Sequence, residues 1–201
     1  MNCPAHGWCR TAAGRCKSRG CSADWARVLD KTTGQSWRAL PFYWAVDFPK
    51  IISGGQTGAD RAALDWAMAN SIPHGGWCPQ GRLAEDGMID ARYDLLETPE
   101  TDYLQRTEWN VRDSDATVIF SLAPQLTGGS LATAELAAGL GKPCLHLSGL
   151  QDAPDNVRQL AVFLHRHEVR VLNVAGPRAS GELLVGAFIQ SIFDELLLKW
   201  E

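Results

Sequence analysis

No stretch of this 201-residue chain approaches the roughly 18 consecutive apolar residues that a membrane-spanning helix needs. Its first residues also lack the unbroken apolar core of a secretory signal. Both absences point away from a membrane and lead to the expectation of a cytoplasmic protein. An excess of either charge is missing too: 19 Lys and Arg stand against 23 Asp and Glu, a net charge of -4. The chain as a whole therefore has no field that would draw nucleic acid or an anionic membrane, and any anion must be held by a local site. Solenoid repeats and heptad runs are absent. Cysteine is sparse beyond residue 21, with only Cys78 and Cys144 there, whereas Cys3, Cys9, Cys16 and Cys21 crowd the start near His6. Their spacing, C-x5-C-x6-C-x4-C, holds only one of the two C-x2-4-C pairs from which tight turns usually supply zinc ligands, a weak zinc signal, and without an export signal a disulfide framework is not expected. With Arg10, Arg15, Lys17 and Arg19 and no acid before Asp24, residues 1–48 read as a basic extension, either disordered or foreign to the working protein.

Regular patterning begins at Pro49. Short Val/Ile/Leu-rich runs at 50–53, 72–78, 116–122, 143–147 and 169–174 alternate with stretches of helical period at 59–70, 102–113, 130–140, 156–167 and 181–199. Such β-α alternation predicts an α/β domain over 49–201: a doubly wound, Rossmann-like parallel sheet of about five strands with helices on both faces, in the common order 2-1-3-4-5. The ligand of such a sheet sits beyond the carboxyl ends of its strands where the order reverses, here between the first and third.

Two glycine-rich turns follow those strands: "SGGQTGAD" (53–60) and "TGGSLATAE" (127–135). Glycine lets the backbone approach a ligand closely, and the helix that follows presents unpaired N–H groups and the positive end of its dipole, so such a turn suits an anion. The residues that would hold it are Gly54, Gly55, Gln56, Thr57, Gly58, Gly128, Gly129 and Ser130; Thr57 and Ser130 could instead cap their helices. Asp60 could cap, balance Arg61, or accept from a ribose or pterin edge. Neither turn carries a Gly-Lys-Ser/Thr or G-x-G-x-x-G signature, which disfavours ordinary NTPase and dinucleotide dehydrogenase readings.

The blocks "IISGGQTGADRAALDWA", "HGGWCPQGRLAEDG" (74–87), "ETPETDYLQRTEWNVRDSDATVIFS" (97–121), "LTGGSLATAELA" and "LNVAGPRASG" (172–181) resemble, in this order, the molybdenum carrier family, a circularly permuted YpsA-related group of the SLOG superfamily of Rossmann-like binders of nucleotide derivatives. The resemblance implies a doubly wound fold, homo-oligomerisation as dimer or tetramer, and a carrier or storage role for molybdenum cofactor, a pterin bearing a phosphate, a dithiolene and an oxo-metal. Arg82, Arg106, Arg112 and Arg178 lie in these blocks. Arg178, directly after the fifth strand, is the preferred charged partner, and Arg82 is included with the binding residues. Gln80 stands where the family pattern leads one to expect a lysine. Cys78 reads either as a soft metal ligand or reactive thiol, or as a small apolar strand residue; no protein metal site is expected.

A non-catalytic carrier of a small anionic ligand is thus the leading reading. The alternatives are a nucleotide-derivative sensor or an enzyme resembling the phosphoribohydrolases of the same superfamily, whose P-G-G-x-G-T-x-x-E pattern would make Glu135 catalytic. Leu131 and Ala132 replace the third glycine and the threonine of that pattern, which weakens it. Oligomerisation is also expected because 181–199 carries an apolar stripe, from Leu183 and Leu184 through Phe188 and Ile192 to Leu198, wider than one sheet face needs.

Overall fold

The computed structural model describes residues 47–200. The expectations for the cysteine-rich segment, and for the extension apart from Asp47 and Phe48, lie outside the described residues. Phe48 is buried, its ring centroid 5.3 Å from that of Trp66 and 4.8 Å from that of Trp200. Phe48, expected to lie in the extension, is thus part of the packed core.

Five strands form one parallel sheet: β1 (Lys50–Ile52), β2 (His74–Gly75), β3 (Ala116–Ser121), β4 (Cys144–Ser148) and β5 (Val171–Ala175). The helices are α1 (Ala59–Ala69), α2 (Tyr103–Arg112), α3 (Gly128–Gly139), α4 (Ala153–Arg166) and α5 (Val185–Trp200). The α/β class, the five parallel strands and the helices on both faces agree with the expectation.

The strand order does not. It is β2-β1-β5-β3-β4, with the last strand inserted between the first and third. Ile51 and Ala116 both pair with Leu172, one on each side of β5. The insertion is fixed at its start by Asp115, whose carboxylate accepts from the N–H groups of Arg170 (2.9 Å) and Val171 (2.8 Å). If the chain began at β5 and ran on into β1, the same sheet would read 3-2-1-4-5, the order of the dinucleotide-binding fold without its sixth strand. The reversal point accordingly lies between β5 and β3, and β1 is its neighbour on the other side of β5.

The two faces of the sheet differ. On one, Ile51, Val118, Phe120, Leu147, Leu172 and Val174 meet the buried sides of α1, α4 and α5 in the main core. Burying each large apolar side chain stabilises the fold by about 1.5–3 kcal/mol. α5 lies between α1 and α4 and contributes Val185, Ile189, Ile192, Phe193 and Leu196, so its wide stripe is largely used within the chain. Leu183 and Leu184, before the helix, and Leu198 remain exposed. The other face, under α2 and α3, is more polar: Asn173 Nδ2 donates to Thr117 Oγ1 (3.1 Å), and Ser121 Oγ lies 2.7 Å from His146 Nε2.

The expected strand over 72–78 is broken. At Gly76 φ is +128°, and a Cβ there would lie 2.2 Å from the Ser53 carbonyl oxygen. The bend sends Trp77–Cys78 away from the sheet to pair with Leu96–Glu97, and between them Leu83–Ala84 and Gly87–Met88 form a small antiparallel hairpin.

Candidate functional site

A cleft of about 560 Å³ opens beyond the carboxyl ends of β1, β5 and β3. Its walls come from the first glycine-rich turn (Gly54, Gln56, Asp60), the start of α2 (Tyr103, Arg106), the start of α3 (Gly129, Ser130), and the segment Asn173 to Gly181 that leaves β5. The cleft thus straddles the strand-order reversal, where a ligand site of an open α/β sheet belongs.

The two turns are not equivalent. At α3 the backbone N–H groups of Gly128, Gly129 and Ser130 have no acceptor among the described residues; the first bonded amide of that turn is Leu131, to the Thr127 carbonyl (3.3 Å). The Thr127 side chain does not cap them. These donors, with the helix dipole behind them, form an open anion cradle.

At α1 several of the corresponding donors are occupied by the protein itself, while the Gly58 and Asp60 amides have no acceptor among the described residues. Ala59 N–H donates to the Pro177 carbonyl (3.1 Å), and Gln56 N–H donates to Asp60 Oδ2 (3.3 Å). Gln56 Oε1 accepts from the Thr57 and Glu85 amides, at 3.0 and 2.9 Å. Thr57 Oγ1 donates to Glu85 and accepts from the Ala179 amide (3.3 Å). This turn, expected to hold an external anion, thus also engages two of the chain's own carboxylates, Asp60 and Glu85. Gly54 and Gln56 reach the cleft, whereas Gly55 faces Ile89 and Leu95 and Gly58 abuts the backbone of Pro177 to Ala179.

The remaining expected residues divide likewise. Arg178 lines the cleft and is exposed, its guanidinium carbon 5.0 Å from the Tyr103 ring centroid; its charge acts on Glu85 without forming a direct ion pair. Arg82 lies away from it. Its guanidinium donates to the carbonyls of Ile89, Asp90, Tyr93 and Leu95 at 2.8–3.1 Å, so it organises the 82–95 loop. Glu135 is exposed on the outer groove between α2 and α3, alongside Leu104, Glu108 and Leu140, and does not line the cleft. The hydrolase reading therefore lacks its carboxylate in the cleft. Cys78 is fully buried against Leu64, Ile89, Tyr93 and Leu95, and burial pushes its thiol pKa up, as befits a small apolar core residue. No three His, Cys, Asp or Glu side chains converge as a metal-binding group among the described residues.

Sequence reading underrated Arg106. Its side chain is 13% exposed; Nη1 donates to Asp60 Oδ2 (2.7 Å), and Nε is buried without a partner. A Cβ on Gly54 would lie 1.3 Å from Nη1, so the second residue of "SGGQTG" makes room for a guanidinium rather than for a ligand. The signal was Gly54 together with Asp60, an acid that needs a cation in a buried turn.

The hairpin tip is latched across the first turn. Glu85 accepts from the Ser180 hydroxyl (2.6 Å) and amide (3.3 Å) and from Thr57, and Asp86 pairs with Arg61. Hydrogen bonds from Ser180 and then Thr57 hold the Glu85 carboxyl below its usual range, and the Arg61 hydrogen bond does the same for Asp86. A depressed folded pKa means that each latch is fully made above the ordinary carboxylate values, about 3.9 to 4.3, and is lost as pH falls through the folded value. We expect the amide resonances of Thr57, Ser180 and residues 83–88 to shift together below about pH 4 while the sheet stays protected. Resonances that move only with global unfolding would show that the latch contributes nothing local.

The model of the circularly permutated YpsA SLOG family matches residues 51–197. The crystal structure of a protein named "putative molybdenum carrier protein", from Syntrophus aciditrophicus SB, is 45% identical with a TM-score of 0.73; the match covers 75% of this chain and 95% of that one. No match was found among curated proteins.

Proposed function

Because the chain belongs to the circularly permutated YpsA SLOG family, we propose that it is a binding protein that carries a small phosphorylated ligand of the molybdenum cofactor type in the cleft at the strand reversal, without turning it over. The observation that carries this reading is the open amino end of α3, whose unbonded Gly129 and Ser130 amides share a cleft with the exposed Arg178 guanidinium. Charge-assisted bonds from such a pair are the ordinary means of holding a phosphate.

The residues present fit the cofactor. A cleft of about 560 Å³ falls within the usual size of small-molecule sites. Gly128, Gly129, Ser130 and Arg178 would take the phosphate, and the pterin would lie toward Tyr103, Arg106 and Asp60. The cofactor's dithiolene supplies the ligands of its own metal, so none is required of the protein. No helix among the described residues is long and apolar enough to cross a membrane. The name of the Syntrophus protein supports molybdenum as the cargo.

The test is titration with molybdenum cofactor and with adenosine monophosphate, following binding and release of free adenine. We expect saturable cofactor binding, no adenine release, and an Arg178→Ala variant that binds about 1.5–3 kcal/mol more weakly. Adenine release abolished by Glu135→Gln would replace the carrier by a hydrolase. An Arg178→Ala variant that binds like the wild type would remove that side chain from the site.

A further inference from the structure

Asp60 and Arg106 form a buried ion pair on the cleft wall that nothing in phosphate binding uses. Asp60 is 5% exposed, and its Oδ2 is taken by Arg106 Nη1 (2.7 Å) and the Gln56 amide (3.3 Å). Its other oxygen, Oδ1, has no partner among the described residues, and the residue lines the cleft. On the Arg106 side, Nη1 alone is engaged, and Nε is a buried orphan. Gln56, 4% exposed and lining the same cleft, adds a second orphan donor in Nε2, because its Oε1 is committed to the Thr57 and Glu85 amides. Buried polar atoms are nearly always bonded, and two unbonded donors beside one open carboxylate oxygen on one wall mark a place where bonding is completed from outside.

The pattern is an acceptor flanked by donors, held in place by the 2.7 Å ion pair. Its complement is a ring edge with N–H donors next to a carbonyl. We propose that the Asp60–Arg106 pair reads the 2-amino-4-oxopyrimidine edge that guanine and pterin rings share: the carboxylate accepts from the ring N–H and the exocyclic amine, and the guanidinium donates to the carbonyl. This rests on the reading of the cleft as a phosphate-ligand site and names the ring at the other end of that ligand. Adenine fits badly, since its amine would bring a donor against the Arg106 donors and its ring nitrogen an acceptor against Asp60. A buried polar site rejects such a mismatch strongly because its own groups are left unpaired.

The edge and the phosphate can be tested apart by calorimetric titration of the wild-type protein with guanosine, inosine and adenosine monophosphates, 6-hydroxymethylpterin monophosphate and inorganic phosphate. We expect the guanine and pterin esters to bind roughly tenfold or more tightly than the adenine ester, with inosine monophosphate, which lacks the amine, between them. The tighter of the guanine and pterin esters identifies the ring. In Asp60→Asn the preference should shrink to about twofold or less while inorganic phosphate binds as before. Because the wild-type comparison needs no variant, a poorly folded Asp60→Asn would leave the test intact. Equal binding of the guanine, pterin and adenine esters overturns the edge assignment and leaves the phosphate site standing. Failure of every phosphate-bearing compound to bind overturns both.

Discussion

Replacing Gly129 by leucine is expected to abolish binding of phosphorylated ligands at concentrations that saturate the wild type, and to leave the melting temperature unchanged or slightly higher. The two halves of this result have separate causes. A Cβ at Gly129 meets nothing within 4 Å, so the fold has room for a side chain, and the residue lies in the first turn of α3. Leucine is the better helix former by about 0.5–1 kcal/mol. The open space it enters is the cleft, beside the unbonded amides of Gly128, Gly129 and Ser130. A branched side chain there would cover the donors that an anion needs, and loss of two or three charge-assisted bonds corresponds to at least a hundredfold in affinity. Calorimetric titration and a thermal melt on the same sample decide it. A folded Gly129→Leu protein that still bound at wild-type affinity would show that the anion is not held by α3.

The second large effect is on stability. Gly58→Ala is expected to cost about 4 kcal/mol, a large share of the roughly 5–15 kcal/mol that holds a domain folded. Gly58 has φ +80° and ψ -122°, a conformation strained for any residue with a Cβ, by about 1–3 kcal/mol. The added methyl would lie 2.5 Å from the Pro177 carbonyl oxygen and 2.6 Å from the Ala179 nitrogen, and these are backbone atoms that cannot rotate away. Forcing them apart costs a further 1–3 kcal/mol or so and loosens the Ala59–Pro177 bond that joins α1 to the segment after β5. Urea unfolding followed by Trp fluorescence would report it; a midpoint within about 1 kcal/mol of wild type contradicts the argument.

Much of the fold could be read from periodicity alone, because a strand buried on both faces must be apolar throughout and the helix period survives in 59–70 and 156–167. Pairing order could not be read this way. Nothing in Val171 to Ala175 says that it will be gripped on both sides, and the determinant, the Asp115 carboxylate on the Arg170 and Val171 amides, joins residues 55 and 56 positions apart. The loop from 79 to 99 was opaque for a related reason. Its strands are two residues long, too short for any period, and the loop is organised by Arg82 bonding to carbonyls, which leaves no trace in hydropathy. At the site, the glycine pairs mark both turns but do not distinguish one that engages its own acids from one that does not. That distinction depends on Asp60 and Glu85 folding back onto Gln56 and Thr57, 4 and 28 residues away. The width of the α5 stripe has a similar non-local cause, since the helix packs against two flanking helices as well as the sheet.

The placement of β5 also sets an order of events during synthesis. β1 and β3 share no hydrogen bonds; each is joined only to β5 on its inner side, so the sheet consists of two pairs, β2-β1 and β4-β3, and a single strand that unites them. That strand is the last of the five to leave the ribosome. Until it does, nothing joins β2-β1 to β4-β3, and the seam along which the cleft lies does not exist. A ligand site at that seam can therefore form only in chains that have been translated through β5.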